Sequence, residues 1–171
     1  AKATAHRIVD IRPFAGLTTG ASPLTDAALS VPDLADIPAG RRDQPPTYVP
    51  NRNMVLLAIA AAYAESHGIT DVFYGAQKQD KYGYWDCTSA FVARMNRVLS
   101  LNRRTPVAIH APFACLGKAD VVRLGMELAV DFAHTWTCYR GGRNACGHCP
   151  SCVERMNAFE KSGIHDPLST K

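Results

Sequence analysis

The chain has 171 residues, 47% hydrophobic and 20% charged, with 19 Lys and Arg against 15 Asp and Glu for a formal charge of +4. That length and apolar content suit one globular domain with a sizeable core. The positive surplus is too mild and too scattered for a surface devoted to phosphate backbones. The longest apolar run, Met54 to Ala64, is too short to cross a bilayer. Six cysteines without a visible signal peptide favour a cytoplasmic chain that binds metal rather than one built on disulfides.

From the start, His6 to Ile11 reads as a strand, and the proline-rich stretch 12–50 as one long loop. Asn53 is expected to cap a helix reaching Ser66, apolar enough for burial on several sides and closed by His67-Gly68. Asp71 to Gly75 reads as a short buried strand, followed by the polar and aromatic loop QKQDKYGYWDC. A helix follows with Phe91, Val92, Met95, Val98 and Leu99 in helical register. Val107 to His110 forms a third strand, ended by Ala111-Pro112. The next helix, 118–129, puts Val121, Leu124 and Leu128 on one face. Pro150 suits the first turn of a last helix that buries Val153, Met156 and Phe159 and stops at Gly163. Alternating strands and helices imply an α/β fold with a parallel, Rossmann-like sheet. Ligands then bind beyond the carboxyl ends of the strands, which singles out the loops after Gly75 and His110. Two arginine pairs, Arg41-Arg42 and Arg103-Arg104, read as solvated loop charges.

Cys138, Cys146, Cys149 and Cys152 fall in C-x7-C-G-H-C-P-S-C. Thiolates are soft ligands that Zn²⁺ gathers tetrahedrally at about 2.3 Å, and a Cys-x2-Cys turn aims two sulfurs at one point. Gly147 supplies the backbone freedom that such a turn needs. A disulfide pair, a redox Cys-x2-Cys and an iron–sulfur cluster are the other uses of this spacing, and His148 is a less favoured alternative ligand. A closed four-sulfur zinc site has no open position, so it is expected to be structural.

Four segments together carry a resemblance: VPNRN (49–53), FYGAQKQDKYGYWDC (73–87), IHAPF with GKADVVRLG (109–125), and TWTCYRGG…CGHCPSC. They resemble the 7-cyano-7-deazaguanine synthase family (QueC) over most of the chain. The resemblance implies a PP-loop (adenine nucleotide α-hydrolase-like) fold and ATP- and Mg²⁺-dependent conversion of 7-carboxy-7-deazaguanine and ammonia to 7-cyano-7-deazaguanine, in queuosine biosynthesis. It implies a single domain, with a core over 1–134 and a zinc-binding subdomain over 135–171. Lys118 resembles the family's lysine and is expected to neutralise phosphate or acyl charge. Gly75 and Gln77 are expected on the nucleotide side.

For the substrate, Asp80 and Asp86 offer carboxylates to the donor edge of a guanine-like ring, with Tyr82, Tyr84 and Trp85 as stacking surfaces. Arg52 and Arg140 are further cations, and Asp80 is an alternative Mg²⁺ ligand. Cys87 and Cys115 are expected to pack, although Cys87 also suits a thioester nucleophile; His110 is expected to be structural rather than a base.

The sequence departs from the family in three places. It contains no Ser-Gly-Gly-x-Asp-Ser phosphate loop and is expected to begin after it; Gln77 stands at the family's asparagine, and Trp85 at its usual proline. A homodimer or a partner supplying that loop is therefore expected, with neither nucleic acid nor membrane as partner. The alternatives are a relative that binds or transfers a deazaguanine with a partner's nucleotide loop, and a non-enzymatic zinc-knuckle module.

Overall fold

A computed structural model describes residues 3–38, 45–78 and 83–168. Asp80, Tyr82 and Arg41-Arg42 lie outside the described residues. Along these run α1 (Arg12–Leu17), α2 (Arg52–Ser66), β1 (Asp71–Phe73), α3 (Ser89–Leu99), β2 (Ala108–His110), α4 (Lys118–Glu127) and α5 (Pro150–Ser162). Short 3-10 turns occupy Leu34–Asp36, Trp85–Cys87 and Phe132–His134.

The sheet has two parallel strands, β1 and β2, with Val72 opposite Ile109 and Phe73 opposite His110. Val72 and Ile109 turn towards α2 and α3, where Leu57, Phe91, Val92, Met95 and Leu99 close the first core. The opposite face carries Asp71, Phe73 and His110. His110 Nε2 lies 2.7 Å from Asp71 Oδ1, and Phe73 stacks on the imidazole at 5.1 Å. Hydrogen bonds from Thr70 and His110 hold the Asp71 carboxyl below its usual range.

The outer edge of β2 is paired by a side chain. Asn96 of α3 donates to the Ile109 carbonyl at 2.8 Å and accepts the Ile109 N–H at 2.7 Å, as a neighbouring strand would.

Several expectations fail for identifiable reasons. His6–Ile11 forms no strand, because no ladder partner lies beside it among the described residues; Ile8 is 85% exposed. The stretch 12–50 is not all loop. Pro13 sits in the first turn of α1, and the Asp10 carboxylate accepts the Arg12 N–H at 2.9 Å. The parallel pair therefore lacks the expected third strand, and β1 is not a buried strand: Phe73 is 73% exposed.

Asn53 is not the cap of α2. Asn51 holds that place in a left-handed conformation, and the Asn53 N–H is taken by Asp86 Oδ2 at 3.3 Å. Asp86 thus caps the helix from a distant turn. Burial on α2 follows one stripe of Asn53, Leu57, Ala61 and Ala64, while Met54 and Leu56 are exposed. Helix α3 is capped as a helix should be, with the Thr88 hydroxyl accepting the Phe91 N–H at 3.1 Å, but Val98 faces solvent.

The second core joins α4 to α5 through Val122, Ala158 and Phe159, with Phe132 and Ile164 against them. The expected face of α4 is rotated. Val122 and Gly125 are buried, and Leu128 is exposed at the C-cap. Gly125 is required by the Phe132 ring, since a Cβ there would stand 2.5 Å from Cζ. On α5, Met156 is exposed and Arg155 is buried in its stead. Its guanidinium bonds Asp166 twice at 2.8 Å and Thr135 Oγ1 at 2.8 Å, so the buried charge is fully partnered. Gly163, at φ 67°, closes the helix as expected. No helix among the described residues is long and apolar enough to cross a membrane.

Candidate functional site

The four-cysteine cluster is assembled by a turn and a helix start. Gly147 at φ +80° lets the chain double back between Cys146 and Cys149. Cys149 is the N-cap of α5, Pro150 fills the first helical position, and Cys152 follows within the first turn. The four Sγ atoms lie within 4.8 Å of one another. Cys146 and Cys152 sulfurs are 3.9 Å apart, close to the ~3.8 Å edge of a tetrahedron with ~2.3 Å metal–sulfur bonds and far from a disulfide.

Backbone N–H groups point at the sulfurs: Cys146 donates to Cys138 Sγ at 3.4 Å and Cys149 to Cys146 Sγ at 3.3 Å. Burial raises the Cys146 thiol, yet the N–H groups of Cys149 and His148 outweigh it and bring it down to about 6. Burial and the neighbouring sulfurs push Cys152 up. Four thiols crowded this closely cannot all ionise unaided, so a divalent soft cation fits the donor set. His148 contributes no atom to the cluster.

The knuckle also clamps the proline-rich segment. Arg140 donates to the Val31 carbonyl at 2.9 Å and pairs with Asp33 at 2.6 Å, while the His148 carbonyl accepts the Leu34 N–H at 3.0 Å. The Arg140 guanidinium is thereby tied to residues 31–33.

Beyond the carboxyl ends of β1 and β2 the helix starts converge. A cavity of about 220 Å³ is bounded by Gly75, Gln77, Lys118, Thr135, Thr137 and Arg155. Lys118 opens α4, and its Nζ donates to Glu154 Oε2 on α5 at 2.6 Å. A second cavity of about 300 Å³ touches Lys78, Cys87, Thr88 and Cys115. The Lys78 N–H donates to the Leu116 carbonyl at 2.8 Å, tying the two strand-end loops together.

Two phenols, Tyr84 and Tyr139, are joined by a hydrogen bond, and Tyr139 is the residue after Cys138. Tyr84 Oη is 2.8 Å from Thr47 Oγ1. Burial raises both phenols. Arg52 and Glu154 both act electrostatically on this pair, so a cation of α2 and a carboxylate of α5 stand near it. The Trp85 indole donates to Tyr48 Oη at 2.8 Å and meets Phe91 edge-on.

Asp86 and Cys87 sit behind this layer. Asp86 is 1% exposed, with Oδ2 on the Asn53 N–H and Oδ1 buried without a hydrogen bond among the described residues. Cys87 Sγ accepts from Asn53 Nδ2 at 3.3 Å and lies 3.3 Å from Tyr74 Oη.

The structure thus brings together Lys118, Gly75 and Gln77 around one cavity, and sets Arg52 within electrostatic reach of Tyr84. It does not bring Arg140 to that cluster. Sequence reasoning passed over Glu154, Tyr139 and Thr47. The TWTCYRGG motif already held Tyr139, and Glu154 follows the last cysteine by two positions.

The model for the family described as "Queuosine biosynthesis protein QueC" matches residues 1–163. The chain belongs to the QueC family. Among its relatives are proteins named 7-cyano-7-deazaguanine synthase. One, from Chromohalobacter salexigens, is 45% identical over 96% of this chain and 64% of its own length. Another, from Marinobacter nauticus, is 39% identical over 96% of this chain and 72% of its own. A third, from Thermoplasma acidophilum, is 44% identical over 94% of this chain and 66% of its own. This QueC-family chain therefore spans slightly less than two thirds of the first of these relatives.

Proposed function

We propose that the chain carries the substrate- and metal-binding part of an ATP-dependent ligase that turns 7-carboxy-7-deazaguanine and ammonia into 7-cyano-7-deazaguanine. The observation that carries this reading is the family match over residues 1–163, named relatives included. The convergence of Lys118, Gly75 and Gln77 at the strand ends supports it. The Rossmann-like, PP-loop form of the fold belongs to the same proposal. So does treating 1–171 as one domain, with a core over 1–134 and a zinc-binding part over 135–171 joined by α4–α5 packing.

The chemistry sets what the residues must do. Carboxylate attack on ATP expels pyrophosphate and leaves an acyl adenylate; ammonia displaces AMP to give the amide. A second adenylation on the amide oxygen lets that oxygen leave with AMP, and loss of the nitrogen's protons gives the nitrile. Lys118 suits the developing negative charge of acyl and phosphate oxygens. Gly75 and Gln77 suit the nucleotide side of the same cavity. Arg52 and Tyr84 suit the substrate, with Asp80 as a candidate carboxylate; Asp86, expected beside it, is instead buried behind the aromatic layer at the start of α2. Arg140 serves the substrate by holding residues 31–33 in place.

Cys138, Cys146, Cys149 and Cys152 are the ligands of one structural Zn²⁺, which would neutralise the four sulfurs and fix the start of α5. The glycine-rich phosphate loop is not among these 171 residues; in the proposed enzyme an adjoining segment or a partner supplies it, with Mg²⁺ accompanying ATP.

The test is to incubate the zinc-loaded chain with ATP, Mg²⁺, ammonium and 7-carboxy-7-deazaguanine and to follow products by mass spectrometry. Formation of the cyano product with AMP is expected once the phosphate loop is supplied. Folded protein that yields neither amide nor nitrile under those conditions refutes the ligase.

A further inference from the structure

We propose that Glu154, rather than Asp86, is the carboxylate that reads the donor edge of the guanine-like ring, an inference that rests on the deazaguanine reading above. That edge presents a ring N–H and an exocyclic amine side by side. It needs two acceptor oxygens in one plane, open to the ligand. Asp86 fails the second condition: it is 1% exposed, so neither oxygen is open to a ligand.

Glu154 meets both. Its side chain is 47% exposed, and Oε2 alone is engaged among the described residues, by Lys118 Nζ at 2.6 Å. A carboxylate has about four lone-pair positions, so Lys118 leaves room for a bidentate pair. The Lys118 bond also restrains the carboxylate, which reduces the rotamer freedom lost on binding.

The surroundings agree. Glu154 stands within electrostatic reach of Tyr84 and Tyr139, and so does Arg52. A carboxylate, two phenols and two cations thus converge from α2, the turn before α3, the start of α4, the knuckle and α5. A planar heterocycle with a donor edge and a carboxylate substituent matches that set: donors to Glu154, carboxylate to Lys118 and Arg52, ring against phenol. The mount is rigid, because the first turn of α5 is set by Cys149 and Cys152.

The test compares binding of 7-carboxy-7-deazaguanine with that of its analogue lacking the exocyclic amine, 7-carboxy-7-deazahypoxanthine. Calorimetric titration of the zinc-loaded chain reads both without requiring turnover. The wild-type chain is expected to prefer the amino compound by about 10-fold or more, because the analogue leaves a carboxylate oxygen unmatched. Glu154→Gln should erase most of that preference, weakening the amino ligand while leaving the melting temperature unchanged. Asp86→Asn should keep the preference. A Glu154→Gln chain with the wild-type ratio overturns this inference alone, as does loss of the ratio in folded Asp86→Asn. Binding of neither compound by the wild-type chain overturns the deazaguanine reading and this inference with it.

Discussion

The knuckle-and-α5 half and the sheet half of this chain are held by different means. In the first, four sulfurs, a buried Arg155–Asp166 pair and the Phe132–Phe159 contact converge on one helix. In the second, two three-residue strands share a core with α2 and α3 on one face only. Parallel sheets ordinarily bury both faces, yet Phe73 and His110 look outward. The open edge of β1 lies beside an apolar groove of about 410 Å³ lined by Val9, Leu56, Ile59, Tyr63 and Ile69. The difference teaches where order is stored. The half that presents Glu154 and Lys118 is locked internally, and the half that shapes the strand ends leans on the packing of one sheet face.

That contrast can be broken by substitution. The largest effect is expected from Cys149→Ser, which removes a fully buried sulfur of the cluster and the N-cap of α5 together. Structural zinc sites hold on the order of 10 kcal/mol of folding energy. Elemental analysis should find one zinc in the wild-type chain and a deficit in the variant, with helical circular dichroism reduced. A wild-type chain that binds zinc but melts identically in chelator would show the metal to be ornamental.

Asp166→Asn comes next, at about 3–5 kcal/mol in denaturant titrations, because it strands the buried Arg155 guanidinium. Burial raises the Asp166 carboxyl, but Arg155 and the Leu168 N–H outweigh it and hold it below its usual range. A depressed folded pKa stabilises above the unfolded value and loses that contribution as pH falls through the folded one. Wild-type stability should therefore drop below about pH 4, and the variant should drop less. Equal acid sensitivity in the two chains would remove Asp166 from the acid transition.

Gly125→Ala should cost about 1–3 kcal/mol by forcing Phe132 aside; a neutral melt would mean that the ring relocates freely. Tyr139→Phe should cost about 1 kcal/mol by breaking the link to Tyr84. Phe73→Ser in the other half should fall within about 0.5 kcal/mol, because its ring is already solvated. A loss well beyond that would mean the bare sheet face is covered in solution, and the contrast between halves would shrink.

The four-cysteine cluster was the most legible part of the sequence, because a soft-ligand set is written in spacing alone. Helix α3 was legible from its apolar register, and α5 from Pro150 and Gly163. What escaped is long-range substitution of one partner for another. Asn96 replaces a strand at the β2 edge, and Asp86 replaces a local cap on α2. Arg155 replaces Met156 at the buried face of α5 because Asp166, eleven positions on, neutralises it. None of these has a local signature. The strand expected at His6–Ile11 failed for the converse reason: strand propensity without a ladder partner does not make a strand. At the candidate site, Lys118 was legible from its motif. Glu154 looked like an ordinary helix-surface carboxylate until folding set it opposite Lys118.

The chain's two tryptophans fall one in each half. Trp136 donates its indole N–H to the carbonyl of Cys138 in the four-sulfur cluster at 3.1 Å, and Trp85 donates to Tyr48 within the aromatic layer of the proposed substrate site. The molecule therefore carries two built-in optical reporters with separate fields of view. Fluorescence from a Trp85→Phe chain should follow metal loading, and that from a Trp136→Phe chain ligand docking, so the order of the two events can be timed in a stopped-flow mixer without attaching a dye.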